Sequence, residues 1–587
     1  MAQGIQVDAP WTEVLVVVAL DIGTSCSGYA ISFLDTYRRR SIDEVQARLW
    51  RSGSMTTFKT PTCVLCHANK EFHSFGYEAE EHFSGLPDDD EDPADWYFFK
   101  NFKMLLYKEQ DLSRGTELLD ATGKKMPAID VFAMCIKYLK DTAVEEAIAR
   151  VEELKESDFH WVLTVPAIWS DKSKQFMREA AEKAGIENSH LRLALEPECA
   201  SVFCRDVAVR RSLSHTGTVT DLSTMESGSR YMVVDMGGGT IDVTVHEITE
   251  NGALKEITRA SGGDWGANQV NAAFRAFMIK IFGAPVWKKF EERFPIEFYE
   301  FMQDFERKKC SKPSKKVNIS IPINLSELHK ENEGCDLSMS LKSMHLPGTS
   351  VQFKQGNRLS LDAEVFQQEF FASCIENITE HLETIIQCVP NLTRILLVGG
   401  FSECPLVKDS IKIKFPSQRA ILPPEATAAV LRGAILYGRD PSVIKSPICK
   451  FTYGFEWSEE YIPGIHPPNK RVHTDDGPYC CDVFKRLVEV EQGVNVGHCS
   501  EEIETFVTYK FQERIAFPFY KSTQKSPRFV TDDGCTHIGT LCMDVPNSGE
   551  GVNRSVFIQV QFGGTEITAK ARDRTGQKVK YARFDLL

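Results

Sequence analysis

Residues 16–33 read VVVALDIGTSCSGYAISF, and residues 231–247 read YMVVDMGGGTIDVTVHE. Each is a β-branched apolar run, an Asp, a short turn rich in Gly with Thr or Ser, and a second apolar run. That order predicts a strand–turn–strand hairpin with a polar, pliant tip. The tips suit a nucleoside triphosphate: glycine frees backbone N–H groups, hydroxyls add donors, and the carboxylate of Asp21 or Asp235 can hold a hydrated metal. Two such tips in one chain predict two duplicated lobes that grip one nucleotide from both sides.

A third segment, residues 394–407, reads RILLVGGFSECPLV. A buried strand runs into Gly399-Gly400 and then into an amphipathic stretch over 405–413. Glycine there lets a base and ribose lie against the main chain. One Gly-rich turn is a weak signal, but three in this order, with long connections between them, are a strong one. The order resembles that of the actin-like ATPases. It implies an α/β fold, a duplicated ribonuclease H-like domain of two lobes.

The chain has 587 residues, too many for one core, so two to four domains are expected. Its composition, 42% hydrophobic and 26% charged, is that of a globular protein. A net charge of −14 argues against nucleic acid or an anionic membrane as the main partner. The apolar run 14–20 is far short of the roughly 20 residues that span a bilayer, so no membrane insertion is expected. The start, MAQGIQVDAP, reads as neither a secretory nor a mitochondrial leader, and the 17 scattered cysteines read as reduced thiols, so a cytoplasmic location is expected, with the nucleus as the alternative. Cys63-Val-Leu-Cys66-His67 matches a haem-attachment or partial zinc spacing. No second CxxC lies nearby, so a strand ahead of Gly76 is the better reading.

Residues 1–10 are expected to be flexible, 11–230 to form a first lobe and 231–440 a second. Residues 441–449 read as a linker, and 450–587, rich in Val, Thr, Phe and Tyr with closely spaced turns, as a smaller β-rich domain. The acidic run 88–92 reads as a solvated loop. Helices are expected over 134–155, over 170–184 with a Ser170 or Asp171 cap and a Gly185 stop, as one long segment over 362–388, and over 425–438, closing the second lobe. A strand from 191 leads into a helix start at Glu196-Pro197. Residues 205–230 read as a Ser/Thr-rich surface loop. Residues 556–562, Gly563-Gly564, 565–571 and 578–587 read as a meander.

In order along the chain, VVALDIGTSCSG, LTVPAIWSDKSKQFMREAAEKAGI, LRLALEPECASVF, VVDMGGGTIDVTV, SGGDWGANQVNAAF and ILLVGGFSECPLV resemble the ATPase domain of the 70-kDa heat-shock chaperones over about 11–440. Trp169, FKNFKMLLY, GGDWG and GGFSECP resemble a divergent branch of that family. The resemblance implies ATP or ADP with Mg²⁺ as the cofactor. Asp21 and Asp235 would hold the hydrated metal, one from each lobe. Thr24, Ser25, Gly237, Gly238, Gly239 and Thr240 would cradle phosphates. Lys103 would contact phosphate, Glu196 would position metal-bound water and couple the lobes, and Asp242 would lie near the attacking water. Gly399 and Gly400 would contact adenosine, with Glu306 and Lys309 on ribose and adenine. Phosphoryl transfer to water needs positioning and charge neutralisation more than a strong base, and this set supplies both. Taken alone, Asp21 also fits an Asx turn, and Lys103 among aromatics fits a surface lysine with a snorkelling stem.

Three departures from the family pattern bear on function. Glu403 stands where the family has an arginine stacked on adenine, and a carboxylate cannot stack that way. The junction RDPSVIKSPICK (439–450) lacks the family's acidic, leucine-rich linker strand. The sequence presents no helical lid after the β region, so a lidless domain that traps unfolded peptides poorly is expected. The expected function is a slow Mg-dependent ATPase of the chaperone type, weakly coupled to its β domain, with protein clients or a regulatory protein partner. The alternatives are a nucleotide-gated scaffold without turnover, which Glu403 and the linker favour, and a small-molecule kinase of the same fold, which the β tail disfavours.

Overall fold

The computed structural model describes residues 11–38, 45–53, 55–86, 91–109, 111–213, 225–313, 315–343, 351–354, 357–445, 447–495, 498–545, 552–562, 567–574 and 579–583. The expected flexible terminus 1–10, residues 88–90 of the acidic run, residues 214–224 of the expected surface loop and Gly563-Gly564 lie outside them.

Contacts divide the chain into two units. One comprises Trp11–Thr244 and Ala260–Arg439; the other contains Val245–Arg259 and the chain from Asp440 onward. Both quoted segments form paired strands. Val16–Ile22 is buried along its whole length and pairs antiparallel with Cys26–Phe33, Asp21 opposite Gly28. It also pairs in parallel with Phe159–Val165, which pairs in parallel with Leu191–Leu195. An apolar run covered on both faces is what a central parallel strand requires.

The second sheet repeats this order. Arg230–Met236 pairs with Ile241–Ile248 on one side and in parallel with Leu392–Val398 on the other, and Arg419–Ile421 follows in parallel. Asp21 lies beside Thr164 and Asp235 beside Val398, equivalent positions near the ends of equivalent central strands. The duplication read from the sequence is thus a duplication of strand order, and the fold is α/β.

Several helices differ from expectation. The first long one is Ala128–Ile148 rather than 134–155. Asp171–Lys183, by contrast, is as expected, capped by Ser170, whose hydroxyl accepts from the Ser173 N–H at 3.2 Å. The Glu196-Pro197 helix runs on to Leu213, so the first part of the expected 205–230 loop is helical. The 362–388 segment breaks at Phe371 into Ala363–Phe370 and Ala372–Cys388. Phe370 and Phe371 are both buried. A straight helix points consecutive residues about 100° apart, so the break lets both enter the core.

Ala429–Arg439 does not close the second lobe. It packs on the helix Glu196–Leu213 and on the strands Val16–Ile22 and Phe159–Val165 of the first. Its fully buried Arg439 guanidinium donates to the carbonyls of Trp11 (3.2 Å), Ser32 (2.8 Å) and Val14. A Cβ on Gly433 would lie 1.7 Å from the Cys199 carbonyl oxygen, so glycine is what permits this close crossing.

In the other unit, Thr452–Glu460, Gly477–Val488, Arg514–Ser522 and Cys535–Asp544 build one sheet, and Ser555–Phe562, Thr568–Asp573 and Val579–Arg583 build another. Phe455, Phe517 and Leu541 from the first share one core with Val556, Ile558 and Val560 from the second. The junction was expected to lack a docking strand, but Ile444–Lys445 pairs in parallel with Leu254–Lys255. Ile444 is buried, and the Ile448 N–H donates to Glu256 at 2.6 Å. Among the described residues no helix is long and apolar enough to cross a membrane.

Candidate functional site

The two hairpin tips meet. A Cβ on Gly238 would lie 2.1 Å from the Ser25 hydroxyl, and one on Gly239 would lie 2.6 Å from Thr24 Oγ1 and 2.1 Å from Met104 Sδ. The second tip is held by the helix Ala267–Phe282. N–H groups of Gly266, Ala267 and Asn268 donate to the carbonyls of Gly239, Gly237 and Gly238 at 3.1, 3.2 and 2.7 Å. Trans peptide geometry then turns the N–H groups of Gly238, Gly239 and Thr240 the opposite way. The first tip is held likewise by Thr62, whose hydroxyl donates to the Gly23 carbonyl (2.8 Å) and whose N–H donates to that of Ser25 (2.9 Å). Both tips therefore offer oriented N–H groups, the arrangement that cradles anions.

Behind the tips lie four carboxylates, Asp21, Glu196, Asp235 and Asp242, all buried. Asp21 accepts from Thr164 Oγ1 at 2.9 Å and pairs with Lys59 Nζ at 2.5 Å. Burial pushes its pKa up, but the charges of Lys59 and Lys103 outweigh burial and hold it below the usual carboxylate range. Lys103 is 4% exposed and pairs with Glu196 at 2.7 Å, its ammonium 5.1 Å from the Trp169 ring centroid. It points inward, not to the surface. Burial pushes Glu196 up to about 7; Asp21 and Asp242 add to the rise and Lys103 opposes it. Asp235 is raised well above its ordinary value by burial and by the charges of Glu196 and Asp242. Asp242 Oδ1 accepts from the Ile168 N–H at 3.0 Å, a bond from the second lobe to the first.

The donor set fits a hydrated divalent cation. Four carboxylates face two lysines, and burial with the charges of Glu196 and Asp242 keeps Asp235 raised. Among the described residues no three His, Cys, Asp or Glu side chains could hold a metal ion directly. These carboxylates suit an ion held through its water, as Mg²⁺ prefers.

Gly399 has φ +81, and a Cβ there would lie 2.5 Å from Asp235 Oδ1, so its glycine serves the packing of Asp235. Gly400 faces open space. Lys309 is buried; it pairs with Glu306 at 2.6 Å and donates to Asn271 Oδ1 (2.9 Å) and the Ala267 carbonyl (3.2 Å). Glu306 and Lys309 thus form one network with the helix that holds the second tip. Glu403 is exposed at the end of the 3₁₀ turn Gly400–Glu403. The Cys63 and Cys66 thiols are buried in a strand, which pushes Cys63 well up and Cys66 to about 12, so neither offers a ready thiolate.

Sequence reasoning missed Lys59, Thr164 and the Ile168 N–H. Nothing local marks Lys59. It reaches the tip because Thr60 and Pro61 pair with Ser27 and Cys26, a non-local register. Thr164 was legible only once Phe159–Val165 was placed beside Val16–Ile22.

A two-lobed fold with duplicated strand order, meeting tips and buried carboxylates behind them defines the actin-like class. Residues 94–480 match the family model described as Hsp70 protein. The chain is 34% identical to mouse heat shock 70 kDa protein 12A over 98% of its own length and 92% of the relative's. It is 32% identical to human heat shock 70 kDa protein 12B, covering 97% and 91%. The chaperone protein DnaK of Psychrobacter cryohalolentis is 24% identical, covering 64% and 52%. The chain belongs to the Hsp70 family, and its near full-length relatives carry the names of the divergent branch that the motifs resemble.

Proposed function

We propose that this chain is an ATP-binding, chaperone-like protein that takes ATP or ADP with Mg²⁺ between the hairpin tips and hydrolyses ATP slowly. The observation that carries the reading is the convergence of both tips with Asp21, Lys103, Glu196, Asp235 and Asp242 in one buried cluster. Membership of a family of ATP-binding chaperones supports it. Bound Mg²⁺ would neutralise phosphate charge. The N–H groups of Gly238, Gly239 and Thr240, with the Thr24, Ser25 and Thr240 hydroxyls, hold phosphate oxygens. Lys103, fixed by Glu196, offsets charge that builds on the transferred group. Asp242, anchored by the Ile168 N–H, lies beside the place of the attacking water. Gly400 lies under the nucleoside, with Glu306 and Lys309 supporting that wall.

The lobes are assigned to 11–230 and 231–440, with the helix Ala429–Arg439 packing back on the first, and 450–587 is read as a substrate-type β domain for a protein client or regulatory partner. Coupling between the two is weak, since among the described residues the strand pairing at the junction is two residues long. Exposed Glu403 favours a second reading, a nucleotide-gated scaffold without turnover, because a carboxylate gives adenine no stacking partner. Single-turnover ATP hydrolysis by the full chain, with and without excess unfolded peptide, separates the two. Slow, Mg-dependent, peptide-indifferent turnover supports the first reading; nucleotide binding without turnover supports the second.

A further inference from the structure

Lys59 has no part in the roles assigned so far, yet its surroundings fix it at the heart of the site. The segment before it is tied by the Thr57 hydroxyl to the Lys59 carbonyl at 2.6 Å. Thr60 is clamped by the Tyr77 N–H at 3.1 Å and packs where a Cβ on Gly76 would lie 2.1 Å from its hydroxyl. The lysine stem crosses Gly28, where a Cβ would meet Lys59 Cγ at 3.3 Å. A rigid backbone thus delivers the ammonium to Asp21 Oδ2, with 18% of the lysine side chain and 4% of the aspartate exposed. Besides Asp21, the carboxylates of Asp235 and Glu196 act on the same ammonium.

We propose that Lys59 is a tethered cation of the nucleotide site, standing against Asp21 in place of a hydrated divalent ion and sharing the neutralisation of the phosphates. This rests on the nucleotide reading above and deepens it. A hydrated Mg²⁺ and an ammonium cannot both sit against one Asp21 oxygen, because like charges repel strongly where burial weakens screening. Lys59 thereby takes Asp21 out of the metal's surroundings and leaves Asp235 as its main anchor. Phosphate binding then depends on metal far less than in a site without the lysine.

The test is calorimetric titration of the full chain with ADP and ATP, in excess Mg²⁺ and in EDTA, for the natural protein, Lys59→Met and Lys59→Arg. Mn²⁺ alone, followed by electron paramagnetic resonance, serves as the second probe. The natural protein and Lys59→Arg should change affinity less than about threefold on metal removal. Lys59→Met should lose about tenfold or more in EDTA and should bind Mn²⁺ more tightly than the natural protein. If Lys59→Met does not fold, the natural protein's affinity in EDTA decides alone. A tenfold or greater loss on removing metal from the natural protein overturns the Lys59 proposal and leaves the nucleotide reading standing. No nucleotide binding under either condition overturns the nucleotide reading, and this proposal with it.

Discussion

At the scale of single residues, two substitutions separate metal and charge roles. Asp235→Ala removes the carboxylate proposed to anchor a hydrated ion. Mg-dependent nucleotide affinity or turnover should fall, and unchanged Mg dependence in calorimetry would contradict the placement. Lys103→Ala removes a positive charge that the proposed reaction needs most in the transition state. Single-turnover hydrolysis should slow about 100-fold while ADP affinity changes little; a fully active variant would return the lysine to a packing role. Gly400 offers a cleaner probe of the proposed nucleoside wall. A Cβ there meets nothing within 4 Å, so Gly400→Ala should keep the natural Tm and lose nucleotide affinity; equal affinity by calorimetry would move the nucleoside elsewhere. Asp235 and Gly400 were legible because each stands in a local pattern, Asp before a Gly-rich turn or Gly-Gly after an apolar strand; Lys103 was legible only through the family resemblance. Lys59 was not, since it gains meaning only when Thr60 and Pro61 pair across the first hairpin. The Glu306–Lys309 pair was legible as a pair, but its tie to Asn271 and Ala267 needed the helix packing.

Among elements, hairpins and the Glu196-Pro197 helix start followed from the sequence because apolar period and turn residues agree locally. The break at Phe371 did not, because it answers to where two adjacent rings must go. Nor did the placement of Ala429–Arg439 on the first lobe, which depends on Gly433 fitting against Cys199. Gly433→Ala should therefore destabilise the protein by about 1–3 kcal/mol through overpacking, read as a lowered Tm. The strand Ile241–Ile248 buries His246 completely, and burial lowers its pKa to about 4. The neutral ring is favoured in the folded state and the charged ring in the unfolded one. Stability from this group is thus present above about pH 6.5 and is lost as pH falls through 6.5 towards 4. Thermal scans between pH 7 and pH 4 should show His246→Gln losing less Tm on acidification than the natural protein; equal losses would show that His246 carries none of the acid sensitivity.

Over the whole molecule, chain order and spatial grouping part company. Residues Val245–Arg259 group with the chain from Asp440 onward, and the junction supplies the strand beside Leu254–Lys255. A fragment ending at 440 loses that pairing, while one ending at 449 keeps it. The 11–449 fragment should hydrolyse ATP at nearly the full-length rate, and the 11–440 fragment should melt at lower temperature. Generic unfolded peptide should stimulate full-length turnover little. Stimulation of about tenfold, equal to about 1.4 kcal/mol on the barrier, would show strong coupling through a route other than this short pairing. The central claim is that nucleotide phosphates lie between the two hairpin tips. Amide hydrogen exchange on the full chain, with and without ADP, tests it most directly. The account predicts new protection at Thr24, Gly238, Gly239 and Thr240 and at the Gly400 turn; ADP-dependent protection confined to other segments, or none at saturating ADP, would contradict it.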